Sequence, residues 1–243
     1  MKYGPYSYSR QSTYYSCPNK FKLTYIDKIS IPSDSYALKK GSWLHESIEN
    51  ILVGSKPKQP EGMEIEEIQE CKVILKDFLD SEFFKSIKTL SETYEMKVEE
   101  GVGFNEHFDT VPYSEASFFR GFIDLHLYSE EKCIIIDWKS GKLKSLEQQD
   151  FLQNEIYALW FLLKNVEVKE VKIVFFYLEH NKYNSKIITR KDIETLKNKI
   201  YKKINKIENT HIFKKSLSKL CGYCDYLKDG YCELSDSELL MVL

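Results

Sequence analysis

The strongest constraint on this chain is the position of two aspartates and a lysine at the ends of two apolar runs. The first run closes as Arg120-Gly121-Phe122-Ile123-Asp124, the second as Ile134-Ile135-Ile136-Asp137-Trp138-Lys139-Ser140-Gly141. Twelve residues lie between the aspartates, and Ser129, Glu130, Glu131 and Lys132 among them form a polar turn. This pattern predicts a β-hairpin with two carboxylates and an ammonium on one rim. Strand side chains repeat every second residue, so Asp137 and Lys139 share a face. Two carboxylates hold a hard divalent cation through oxygen. A lysine beside them positions or helps deprotonate a water and stabilises charge on a phosphate. This is the minimum set for metal-dependent phosphodiester hydrolysis.

The competing reading is a surface hairpin with a solvated lysine. Three neighbours weigh against it. Gly121 lets the backbone come close to another group. Ile134, Ile135 and Ile136 read as a fully buried strand, so Asp137 ends a core element. Gly141 permits a turn that leaves the site open.

The 243 residues suit one large domain or two small ones. A net charge of −2 does not announce a nucleic-acid binder, but its distribution is uneven. Residues 61–100 hold twelve acids and five bases, whereas residues 181–220 hold twelve bases and three acids. A basic face on a near-neutral protein fits DNA, although solvated helix faces give the same count. No run of eighteen apolar residues occurs, and the Tyr- and Ser-rich beginning has no secretory core, so neither a transmembrane span nor a signal peptide is expected. Six clustered cysteines favour metal in a reducing compartment over a disulfide framework. A cytoplasmic protein without membrane contact is the expectation.

Along the chain, residues 5–28 form an amphipathic opening segment and 41–53 a helix with His45 and Glu49 one turn apart. Pro57 and Pro60 mark a loop. Apolar spacing predicts a helix over 63–89, strands at 93–100, 116–128 and 132–138, and a helix at 146–164. A strand at 170–179 pairs with a short one at 185–189. From Lys191 to Asn209 follows a basic helix whose Lys197, Lys199, Lys202, Lys203 and Lys206 avoid the apolar stripe. With the Tyr14–Tyr15 pair this helix is the expected surface for a DNA strand with a free end.

In this order the motifs resemble the PD-(D/E)xK nuclease superfamily and its RecB-like branch: the RecB and AddB nuclease domains, CRISPR-associated RecB-like exonucleases and exonuclease V. Tyr8-Ser9-Arg10 through Cys17-Pro18-Asn19-Lys20-Phe21 resembles the opening segment. Gly41-Ser42-Trp43-Leu44-His45-Glu46 resembles the Gly-x-x-x-His-Glu motif. Gly121 to Asp124 and Asp137-x-Lys139 match the catalytic motifs. Gln153-x-x-x-Tyr157 matches the Gln-x-x-x-Tyr helix, and Cys221, Cys224 and Cys232 the C-terminal cysteines.

The resemblance implies an α/β fold with a restriction-endonuclease-like core. A mixed central sheet would be flanked by helices, with a helical insertion and a cysteine staple joining the chain ends. It implies one domain over 1–243: a helical subregion at 36–92, the catalytic core at 93–190, and the basic helix and cysteines at 191–243, closed by Cys17. It assigns His45, Asp124, Asp137 and the Trp138 carbonyl to Mg2+ or Mn2+. Lys139 would orient the attacking water, Gln153 and Tyr157 would line the site, and Glu49 would support the ligands or be solvated. Two intervening residues let the thiolates of Cys221 and Cys224 reach one metal. Cys17 and Cys232 would complete a [4Fe–4S] cluster by resemblance, although four thiolates equally suit zinc. Cys71 and Cys133 read as ordinary apolar residues.

The expected function is a metal-dependent DNA exonuclease or end-processing nuclease in recombination, repair or CRISPR adaptation, on single-stranded DNA or ends. A helicase, recombinase or CRISPR-adaptation complex is the expected partner, since no P-loop occurs here for unwinding. The alternative is a non-catalytic DNA-binding or scaffold subunit of such a complex. The intact set His45, Asp124, Asp137 and Lys139 separates the two.

Overall fold

The apolar runs of the middle third pair into one six-stranded sheet in the computed structural model, which describes residues 2–32, 35–114 and 117–242. The strands are β1 (Glu95–Phe104), β2 (Thr110–Val111), β3 (Phe119–Tyr128), β4 (Lys132–Lys139), β5 (Glu170–Tyr177) and β6 (Lys182–Thr189). Their order is β2-β1-β3-β4-β5-β6. Every pair is antiparallel except β4 with β5, which the helix α6 (Leu152–Lys164) connects as a crossover. The sheet is therefore mixed, as expected. The predicted first strand residue, 116, lies outside the described residues.

Helices cover both faces. On one side α1 (Tyr8–Ser16), α6 and α7 (Ile193–Glu208) bury Tyr14, Ile156, Phe161 and Ile200 against Ile135 and Ile173. On the other, α3 (Tyr36–Leu52), α4 (Ile65–Asp80) and α5 (Glu82–Ser91) bury Leu44, Phe78 and Ile87 against Leu127, Trp138 and Phe176. Phe78 meets Phe84 and Trp138 edge-on, each at 5.2 Å between centroids. A buried aromatic with such partners contributes several kcal/mol, and its truncation costs about 3–5 kcal/mol.

Sequence spacing merged α4 and α5 into one helix. The chain breaks at Ser81, whose backbone is extended. Its hydroxyl donates to the Phe78 carbonyl at 2.6 Å and accepts from Phe84 N at 3.2 Å. One serine thus stops one helix and starts the next, a local competition that periodicity does not register. The helix expected from 146 begins at 152, where the Asp150 carboxylate accepts from Leu152 N at 3.0 Å. In α6 the run Asn154 to Leu162 is buried, so this helix is central rather than half-exposed.

A short helix, α2 (Pro18–Phe21), follows α1. After α7 the chain returns to this opening segment. Asn19 N donates to Lys214 O at 3.2 Å, and the Tyr226 hydroxyl donates to Ile29 O at 2.9 Å. Two further helices, α8 (Asp225–Lys228) and α9 (Asp236–Val242), complete the return. Among the described residues, no helix is long and apolar enough to cross a membrane.

Candidate active site

Strands β3 and β4 pair from Tyr128↔Cys133 to Leu125↔Ile136 and then part. Beyond that point β3 stays with β1, while β4 continues beside β5 to Lys139↔Tyr177. At the fork the Asp124 carboxylate accepts the Trp138 N–H at 2.9 Å, so a side chain replaces the missing ladder bond. Asp137 lies buried at the same fork, 3% exposed. Lys139 Nζ stands 2.6 Å from Asp137 Oδ2 and donates to Gln153 Oε1 at 3.1 Å. Apart from that ion pair, Asp137 Oδ2 accepts no hydrogen bond.

His45 reaches the fork from α3, with Nδ1 3.3 Å from Asp124 Oδ2. One turn earlier, Gly41 explains the close approach: a Cβ there would stand 3.0 Å from Ser140 Oγ. Burial holds the His45 pKa below its ordinary value, outweighing the pull of Asp137 and a contact with the Trp138 backbone. A neutral ring keeps one nitrogen lone pair for a cation.

Glu99 is a site residue that sequence reasoning missed. In the β1–β3 ladder Val98 faces Leu125 and Glu100 faces Ile123, while Glu99 and Asp124 stand opposite each other unpaired. Glu99 holds a left-handed backbone, φ 51°, which costs roughly 1 kcal/mol for a residue with a Cβ. Across this step the strand faces swap: Ile123 joins the α6 side and Leu125 the α3 side. Strict alternation through 119–128 therefore assigns half the strand to the wrong layer. The sequence signal is weak: Glu99-Glu100 is one acidic pair in a strand that also carries Glu95 and Lys97.

The acids crowd one another. Burial first, then Glu49 and Asp137, raise the Glu99 carboxyl to about 7. Burial and Asp137 push Asp124 well above the usual range, against the Trp138 hydrogen bond. A cation at this place would relieve that repulsion and fill the open coordination of Asp137. The donors are carboxylate oxygens and one imidazole, which suit Mg2+ or Mn2+. Among the described residues, no three His, Cys, Asp or Glu side chains, those at the fork and the four cysteines included, are gathered at single-ion spacing; Lys139 and Trp138 N–H hold the fork carboxylates.

Gln153 and Tyr157 face the fork from α6. Tyr157 is buried, and its hydroxyl sits where a Cβ on Gly121 would be 2.8 Å away. Gly121 is thus the notch that admits the tyrosine. Burial and Asp137 raise the Tyr157 hydroxyl above its ordinary pKa, so it stays protonated as a donor.

Far from the fork, Cys17, Cys221, Cys224 and Cys232 line one cavity of about 260 Å3. All are free thiols. Ser216 N donates to Cys17 Sγ and Asn19 Nδ2 to Cys232 Sγ, each at 3.5 Å. Cys71 and Cys133 are buried in the two cores instead. On α7, Lys199 is not a free surface cation. It binds the buried Glu155 at 2.5 Å, together with Lys186 at 2.7 Å.

A family model described as the PD-(D/E)XK nuclease superfamily matches residues 5–228, and the chain belongs to that superfamily. No curated protein matches the chain in sequence at a significant level. Among solved structures, it is similar to a Eubacterium rectale protein described as a "Putative exonuclease". The identity is 13%, 98% of this chain and 93% of that one are covered, and the TM-score is 0.57. At that identity the likeness concerns the fold. The solved protein SSO0001 aligns over 70% of this chain and 75% of its own, with 15% identity and a TM-score of 0.33, too loose to carry an argument.

Proposed function

We propose that this protein is a metal-dependent DNA exonuclease or end-processing nuclease of the RecB-like kind. The observation that carries the reading is the fork at which Asp124, Asp137, Lys139 and His45 converge within a superfamily of nucleases. His45, Asp124, Asp137 and the Trp138 carbonyl would hold Mg2+ or Mn2+. Bound there, the ion would supply Lewis acidity toward a phosphoryl oxygen and lower the pKa of a water. Lys139, fixed by Asp137 and Gln153, presents its ammonium to the attacking water and to charge on the phosphate. Tyr157 donates beside Gln153, and Trp138 N–H fixes the Asp124 rotamer. The acids also repel a phosphodiester, so binding depends on their neutralisation.

For the four cysteines we infer a [4Fe–4S] cluster, on the resemblance to the RecB-like branch, with zinc as the alternative that four thiolates also suit. All four line one cavity, and Ser216 N–H and Asn19 Nδ2 point at two of the sulfurs. The cluster would staple the opening segment to the C-terminal one. Action in recombination, repair or CRISPR adaptation beside a helicase or recombinase, in the cytoplasm, completes the proposal. The test is digestion of end-labelled linear and closed circular DNA with Mg2+, Mn2+ or EDTA. Shortening of linear DNA from its ends with either metal, and none in EDTA, is expected. Equal action on circles would refute the exonuclease reading.

A further inference from the structure

Beside the fork, a cavity of about 740 Å3 opens between α1, the start of β3 and the segment after β2. Its floor is shared with the candidate active site, through Gln153 and Tyr157. One wall carries Ser9, Ser12 and Thr13; the other carries Tyr113, Phe122 and Arg120, whose guanidinium lies 5.1 Å from the centre of the Tyr113 ring. These two rings stack at 4.5 Å between centroids, tilted by 40°, yet remain 39% and 43% exposed. Gly101 seats them. A Cβ there would be 2.9 Å from Tyr113 Cβ and 3.4 Å from Phe122 Cε1. Core packing does not explain this pair, because the neighbouring Phe119 and Ile123 already fill the interior.

From the same cavity the surface continues along α1. Tyr8 and Ser12 also line a second cavity of about 270 Å3, together with Tyr15, Lys203 and Asp150, whose carboxylate accepts from the Tyr8 hydroxyl at 3.4 Å. The ammonium groups of Lys203 and Lys206 lie 4.1 and 5.4 Å from the centre of the Tyr15 ring. Aromatic faces, hydroxyls and cations thus follow one another away from the fork.

We infer that Tyr113 and Phe122 form a stacking platform for an unpaired base of single-stranded DNA, whose backbone runs along α1 toward Tyr15 and Lys203. This deepens the nuclease reading above and rests on it. Aromatic platforms beside cationic groups hold single strands without sequence preference, because every base has a π face. In a duplex those faces are already stacked, so the platform selects unpaired strands. The serine side chains of the opposite wall and the Arg120 guanidinium suit sugar and phosphate oxygens and not an apolar ligand.

The test is binding of a fluorescent oligothymidylate in EDTA, where hydrolysis does not interfere. In parallel, an abasic oligonucleotide of the same length is bound, and linear DNA is cleaved with Mn2+. F122A and Y113A should each weaken oligothymidylate binding on the order of 5- to 100-fold, the range for one lost base stack. Neither should change abasic binding, and F122W should restore the parent affinity where F122L does not. Equal losses on both oligonucleotides, or none on either, would overturn the platform while leaving the nuclease reading intact. A parent that binds with this base dependence but never cleaves would remove the nuclease reading and keep the platform. Thermal melts check that the variants fold; should F122A fail to fold, F122L, which keeps apolar volume without the aromatic face, carries the same test.

Discussion

Glu99→Gln tests the crowding of acids at the fork. Burial and the charges of Glu49 and Asp137 raise the Glu99 carboxyl from 4.5 to about 7. A carboxyl with a raised pKa binds its proton more tightly in the folded chain than in the unfolded one. Folding is therefore unpenalised below the ordinary value and loses stability as pH climbs from 4.5 through about 7, after which the loss is complete. At about 1.36 kcal/mol for each tenfold change in proton affinity, the full loss is between about 3 and 4 kcal/mol. Partial solvent access reduces it to roughly 1–3 kcal/mol. Glutamine keeps the left-handed backbone cost and removes the charge. Urea unfolding in EDTA should find the variant equal to the parent near pH 4 and about 1–3 kcal/mol more stable at pH 8. Asp124 is raised for the same reasons and partly by Glu99, so some pH slope persists in the variant. A stability difference independent of pH, or a less stable variant at pH 8, would refute the argument. Mn2+ at a hundred times its dissociation constant should stabilise the parent by about 2.7 kcal/mol, and Asp137→Ala much less.

Other expectations follow from single interactions. Gly121→Ala places a methyl 2.8 Å from the Tyr157 hydroxyl, so it should cost about 1–3 kcal/mol in thermal unfolding and lower cleavage. Lys199→Glu breaks the ion pair with buried Glu155, and urea titration should find it destabilised by about 1–2 kcal/mol because Lys186 remains. Lys202→Glu and Lys206→Glu should instead flatten the salt dependence of DNA binding, its slope falling by roughly one for every phosphate that is no longer neutralised. Cys224→Ala should lose iron by elemental analysis and lower the melting temperature, with any activity change following unfolding. One bound zinc and no iron in anaerobically purified parent would replace the cluster by zinc and keep the staple.

Much of the site was legible because it is local. Asp137 and Lys139 are two residues apart on one strand, so alternation alone places them together. The superfamily motifs ordered the rest, including His45, which no periodicity links to Asp124. The structure also shows why Gly41 and Gly121 stand where they do: each admits a partner, Ser140 or Tyr157, from another element. What was not legible depends on tertiary choices. Glu99 enters the site through one left-handed residue, and nothing in a run of strand-forming residues announces it. Ser81 splits a helix by two hydrogen bonds against a continuous apolar stripe. Lys199 looked like a surface cation because its partner Glu155 lies forty-four residues away on a buried helix.

The most direct test of the account is Mn2+ binding and DNA hydrolysis measured on the same samples of parent, Asp137→Asn and Lys139→Ala. The parent should bind Mn2+, seen by electron paramagnetic resonance, and hydrolyse linear DNA. Asp137→Asn should lose both, with hydrolysis falling by several orders of magnitude. Lys139→Ala should bind Mn2+ like the parent and hydrolyse on the order of 100-fold more slowly or worse. Parent-like hydrolysis by Asp137→Asn would contradict the assignment of the fork as the active site.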